Sequence, residues 1–206
     1  FGGPFEAKGK IPNDFDILHE DTWLQQDSFE KAHQVMMEEA CQEAIKKSNI
    51  EKGQVEFFIG GDLINQITPS NFAAKTMELP YLGLFSACAT SMEGLALTAS
   101  IINANGANYI LTGSASHNSA AEKQYRYPTE YGGQKPPTAQ WTVTGAGCAL
   151  VAKNGKGPRI TSATIGKVID MGITDPFNMG GAMAPAAVDT IMAHLKDRKI
   201  DSNYYD

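Results

Sequence analysis

Leu84-Phe85-Ser86-Ala87-Cys88-Ala89-Thr90-Ser91-Met92-Glu93 decides how this sequence is read. Its first residues close a short run of strand formers, 81–85, and its last open a long run of small and aliphatic residues, 88–104. A strand that turns straight into a helix is the unit of α/β architecture, and here it sets Cys88 at the helix N-terminus. Backbone N–H groups lack intrahelical partners there and the helix dipole is positive, so a thiol is drawn toward thiolate and any anion is attracted. The position therefore supports two chemistries, a cysteine nucleophile or a cradle for a ligand carboxylate or phosphate. The plain alternative is a small buried hydrophobe, which the strand–helix context disfavours. Thr90 with Glu93 fits a capping box, which makes Glu93 structural rather than catalytic.

Working outward, the periodicity predicts a helix over 27–48, opened by Asp27 and Glu30 and striped with Phe29, Ala32, Met36, Ala40 and Ala44. A buried parallel strand follows over 55–59, bounded by Gly53 and Gly60-Gly61. Asp62 begins the next loop, where it could face the pocket, although a turn-forming role is its commonest use. A helix is expected over 69–79, and the helix over 88–104 reads as apolar nearly all round, hence buried in the middle of the fold. Strands are expected over 108–112, 143–152 and 159–168, and a last helix over 185–195. Between them lies a long polar loop, 114–141, of a length that is usually functional. The fold class is α/β with a mainly parallel central sheet. Trp23 and Trp141 read as core or interface residues, and Met36, Met37 and Met183 as gap-filling packing.

Asp and Glu outnumber Lys and Arg by 23 to 17 among the 206 residues. Nucleic acid is thus an unexpected partner, because its backbone demands clustered cations. No apolar stretch reaches the roughly 18 residues needed to cross a bilayer, and the first residues carry no targeting pattern. Cys41, Cys88 and Cys148 are odd in number and widely spaced, which suggests neither a disulfide framework nor a zinc site; they read as reduced cytosolic thiols. Both chain ends read as cut.

The SACATS elbow, the small-residue helix after it, the strand ending TGSASHNS and the later TVTGAGCALVA together resemble the first half of the thiolase and β-ketoacyl synthase superfamily. RYPTEYGGQKPPTAQWTVTGAG and ITSATIGKVIDMGITDPFNMGGAMAPAA are similar, more specifically, to the stage V sporulation protein AD family of spore-forming Bacilli and Clostridia. The resemblance implies a layered thiolase-like fold of two similar halves, with 1–157 as the first half and 158–206 as the incomplete beginning of the second. A faint echo between GDLINQITPSN and GKVIDMGITDPFN is the one internal hint of duplication. It further implies a protein that binds dipicolinic acid, a pyridine dicarboxylate, or its calcium chelate, for uptake into the developing spore. Such a protein would be non-catalytic, with no cofactor and no metal site of its own, peripheral on the cytoplasmic side of the spore inner membrane. Its implied partners are other sporulation membrane proteins of the same transport system and a second copy of itself.

By position Cys88 matches the superfamily nucleophile, and none of His19, His33, His117 and His194 sits where the family's base would be. Candidate ligand-binding residues are Cys88, His117, Arg126, Tyr131 and Lys135. His117, with Asn118 beside it, follows a strand end at the sheet edge where α/β pockets form, though a loop histidine making one backbone hydrogen bond is an equal reading. Arg126 and Lys135 could grip carboxylates, and Tyr131, like Tyr127, could stack on a flat ring; solvated cations and loop packing are the plainer roles. Two rival functions stand beside the binding protein. One is a condensing or acyl-transfer enzyme that forms a thioester on Cys88. The other is a structural subunit using the fold as a docking platform.

Overall fold

Ser28 starts the first helix, α1 (Phe29–Ser48), by accepting a hydrogen bond from the Lys31 N–H at 3.2 Å. In the computed structural model, which describes residues 1–125, 142–175 and 178–205, Asp27 instead pairs with the Lys31 ammonium. The cap therefore lies one residue later than the sequence suggests. Ala32, His33, Met36, Met37, Ala40, Cys41 and Ile45 recur at helical spacing and are all buried. The helix ends at Asn49, which takes the left-handed conformation that Asn tolerates.

Four strands form one mixed, mostly parallel sheet in the order β2-β1-β3-β4. β1 (Phe57–Asp62) lies parallel to β2 (Tyr81–Gly83) on one side and to β3 (Tyr109–Ser116) on the other. β4 (Gly145–Ala152) runs antiparallel to β3. α1 and α2 (Thr68–Met77) share a core with one face, where Phe58, Met36, Met37 and Leu111 are sealed from solvent. Each such side chain contributes about 1.5–3 kcal/mol relative to exposure. α3 (Thr90–Asn103) covers the other face, with Ile59, Ile102 and Ile110 in a second cluster. The result is three layers, α/β/α.

Sequence expectation and structure part at several places. β3 runs four residues past the expected end, since Gly113, Ser114 and Ala115 find ladder partners in both β1 and β4, and Ser116 finds one in β4. The expected loop over 114–141 also gives up Asn118–Tyr125 to a helix, α4. α3 is buried along a single stripe, Thr90, Gly94, Thr98 and Ile102, while Met92 is 64% exposed. Its other flanks therefore lack the all-round cover its composition suggests. Thr90 is the first helical residue rather than the cap, and no side chain caps the helix, so the Thr90–Glu93 capping box is not formed. Trp23 is 46% exposed, its ring tilted against that of Phe29, and Met183 is 51% exposed; neither is core.

The chain divides into two compact units, Phe1–Gly157 and Pro158–Asp206. In the second, α5 (Met179–Arg198) opens with Asn178 accepting from the Gly181 N–H and is longer than the predicted 185–195. The strand expected over 159–168 is absent. Ile160, Ile165 and Val168 are apolar enough for one, but among the described residues no strand lies alongside to complete a ladder. That segment is held to α5 instead by a Thr164–His194 hydrogen bond of 2.7 Å and a Lys167–Asp189 ion pair of 3.2 Å.

Candidate functional site

Three backbone features build the turn that presents Cys88. The chain leaves β2 over the end of β1, with the Leu84 N–H donating to the Gly60 carbonyl at 2.9 Å. A Cβ on Gly61 would stand 1.9 Å from the Leu84 carbonyl oxygen, so only glycine permits the crossing. Ala87 then takes φ of +47°, a left-handed conformation that costs a non-glycine residue about 1–2 kcal/mol. A single 3-10 turn, Ala87–Ala89, carries Cys88 into the start of α3 and leaves it exposed.

A second strained segment adjoins the first. Gln66 and Ile67 have φ of +60° and +46°, and for a β-branched residue this is a pronounced departure. The Ile67 side chain lies against Gly83, where a Cβ would come within 2.3 Å of its Cδ1. Asp62 anchors this loop: its carboxylate accepts from the Ile64 N–H at 2.8 Å and from the Ser70 N–H and hydroxyl at 2.9 and 2.5 Å. Asp62 is 1% exposed, a turn-and-cap residue rather than a ligand contact. Strain of this kind gathers where a turn is held for function. None of Gln66, Ile67 and Ala87 is a glycine, asparagine or aspartate, so no residue type in the sequence marks it.

Beside the turn, a groove of about 500 Å³ runs between α3 and the β3–β4 face, lined among others by Ser91, Leu95, Thr112, Ser116, Val143 and Gly147. Cys88 itself lies outside that lining, one turn of chain before Ser91. Thr112 and Ser116 are nearly sealed, and their hydroxyls have no hydrogen-bond partner in the protein. Such buried hydroxyls are costly unless a water or ligand meets them.

Of the predicted site residues, Cys88 and His117 fall within the described residues. His117 is fully buried: its ring stacks on Phe29 at 5.1 Å and its Nε2 lies 2.7 Å from the Thr22 carbonyl. Asn118 ties the start of α4 to the approach to β4, with its N–H on the Thr144 hydroxyl and its Nδ2 on the Thr142 carbonyl. Arg126, Tyr131 and Lys135, with Tyr127 and Trp141, lie outside the described residues. His33 is sealed as well, and burial pushes its pKa down to about 4, against the opposing pull of the Asp62 carboxylate and the Ala115 backbone. His19 pairs with Glu39 at 2.8 Å. Among the described residues no cluster of three or more metal-ligating side chains occurs, and no helix is long and apolar enough to cross a membrane.

The layers, the mixed sheet and the cysteine-bearing turn define a thiolase/ketosynthase-like fold. The 3-oxoacyl-[acyl-carrier-protein] synthase III of Aquifex aeolicus VF5 superposes with a TM-score of 0.50 at 15% identity, covering 64% of this chain and 41% of that one. Sequence comparison is more specific: the stage V sporulation protein AD family matches residues 1–206. The chain belongs to that family of sporulation proteins. The "Stage V sporulation protein AD" of Bacillus subtilis (strain 168) is 45% identical over 204 residues, 99% of this chain and 60% of that protein. The chain thus spans about three-fifths of its relative's length.

Proposed function

We propose that this protein is a non-catalytic binding protein for dipicolinic acid or its calcium chelate, serving its uptake into the developing spore. The observation that carries the reading is the exposed Cys88 at the uncapped start of α3, next to a groove whose size falls within the range of small-molecule sites, about 300–1,000 Å³. A rigid dianionic ring suits such a place. One carboxylate would meet the positive end of α3, and the second would meet Arg126 or Lys135. Tyr131 would stack on the ring. His117 would act from beneath, holding the Thr22 carbonyl and the Phe29 ring at the end of β3. Calcium would arrive with the ligand rather than on a protein site.

The same reading places the protein on the cytoplasmic face of the spore inner membrane, attached through other sporulation membrane proteins. It also makes it a homodimer joined at β2, the edge strand among the described residues, where the exposed Leu82 and, just beyond the strand, Phe85 would otherwise be an aggregation hazard. Calorimetric titration of the full-length protein with dipicolinic acid, with and without calcium, tests the function. Saturable binding is expected, and no heat at millimolar ligand would overturn it. A light-scattering mass of one chain at micromolar concentration would remove the dimer.

The strained turn that exposes the Cys88 thiol favours a second reading, acyl transfer through a thioester on Cys88. Incubation of the full-length protein with acyl-CoA distinguishes it: an acyl mass shift on the peptide containing Cys88 would support the enzyme, and an unmodified peptide the binding protein.

A further inference from the structure

Cys41 and Cys148 are 107 residues apart in sequence, yet their sulfurs lie 3.7 Å from each other, with the Cys148 thiol donating to the Cys41 sulfur. Cys41 is on the buried stripe of α1, and Cys148 is on β4, facing the same core. Gly113, opposite Cys148 in the ladder, makes the room: a Cβ there would come 3.2 Å from the Cys148 sulfur. A disulfide needs its sulfurs at about 2.05 Å, so closure asks for an approach of about 1.7 Å, within reach of side-chain torsion changes at two residues. The third thiol, Cys88, stands exposed at the start of the helix that covers the opposite face of the sheet.

We propose that Cys41 and Cys148 form a redox-closable clamp that bonds α1 to β4 when the protein meets a peroxide-class oxidant. The Cys148 thiolate attacks one peroxide oxygen and becomes a sulfenic acid, with the other oxygen leaving as water after protonation. The Cys41 thiolate then attacks the Cys148 sulfur, and the sulfenic oxygen leaves as a second water. In total two thiols and one hydrogen peroxide give one disulfide and two waters. Closure fixes the strand whose other face, at Gly147 and Ala149, lines the groove beside α3. The hydrogen bond to Cys41, together with burial, raises the Cys148 thiol above its ordinary range. Oxidation is therefore slow at neutral pH and faster in alkaline buffer. The clamp does not depend on the identity of the ligand proposed above.

The full-length protein is treated with hydrogen peroxide while folded, the remaining thiols are alkylated, and peptides are mapped without reductant. A cross-linked peptide joining Cys41 to Cys148, formed faster at alkaline pH and reversed by dithiothreitol, is expected, together with a higher melting temperature for the oxidised protein. The mapping uses the unaltered protein, so it does not depend on whether a buried Cys41→Ser variant folds; Cys88→Ser, at an exposed position, removes intermolecular pairing and leaves the cross-link. Oxidation confined to Cys88, with Cys41 and Cys148 both alkylated on unfolding, would overturn the clamp. So would a cross-link that forms only in denaturant.

Discussion

Ala87 holds φ at +47° with its methyl group exposed, so the conformation is imposed by the chain on either side and not by packing of its own. Ala87→Gly should then leave stability unchanged or raise it by up to about 1 kcal/mol, the relieved strain being partly offset by the greater freedom of glycine when unfolded. Urea denaturation would show this, and a clear loss would mean the methyl has a role the geometry does not give it. Cys88→Ala should keep the fold, because the residue is exposed, and weaken dipicolinic acid binding by about 1 kcal/mol, roughly fivefold in Kd. Unchanged affinity in calorimetry would move the site away from the turn. His33 sets a pH limit. Its folded pKa is about 4 against an ordinary 6.5, so below pH 6.5 the unfolded chain binds a proton that the folded chain refuses. Stability should be full above pH 6.5, fall on the order of 3 kcal/mol as pH drops toward 4, and level below it as far as this group is concerned. A variant His33→Gln, measured by denaturation at pH 7 and pH 4.5, should lose part of that slope.

At the scale of elements, α3 and β3 meet through Gly94, where a Cβ would lie 2.1 Å from the Thr112 hydroxyl. Alanine is the better helix former by about 1 kcal/mol, yet Gly94→Ala should destabilise by about 1–3 kcal/mol, since the clash is with a buried side chain on a strand. A thermal melt above that of the parent would show that the two elements can part without cost. This contact illustrates what sequence could and could not reveal. The apolar run at 55–59 and the strand–helix junction at Cys88 are local signals that lie close to the elements they mark, whereas Gly60-Gly61, read as the strand's end, sits inside β1 with ladder partners in β3. The extension of β3 through Gly113–Ser116 was hidden because those residues have little strand preference; their partners in β1 and β4 supply it. The segment 159–168 is the opposite case, with strand-forming residues and, among the described residues, no strand to pair with. At the site, the position of Cys88 was legible from its neighbours in sequence. The burial of His117 was not, because it depends on Thr22 and Phe29, which lie far back in the chain.

Across the whole molecule, apolar surface is left open in both units. In the first, Leu82, Phe85 and Met92 are 47, 60 and 64% exposed around the turn into α3. In the second, Ile165, Val168, Val188 and Met192 are 83, 94, 59 and 62% exposed, and α5 buries none of its residues. Isolated apolar residues on a surface need no explanation, but side chains grouped along one helix and the segment beside it ask for cover. The family relative is longer than this chain, which accounts for 60% of it, and the two-half organisation expected from the resemblance would supply that cover. Residues 1–206 produced alone should therefore bind the dye ANS strongly, melt without a sharp transition and fail to bind dipicolinic acid. A full-length family member should bind little dye, melt cooperatively and bind the ligand. The contrast separates two causes, since a fold that merely lacks its dimer partner would regain a sharp melt at high concentration, whereas one that lacks its second half would aggregate as concentration rises. A cooperative melt and ligand binding by the 206-residue piece would show instead that its open apolar faces are tolerated and that the site is complete within it.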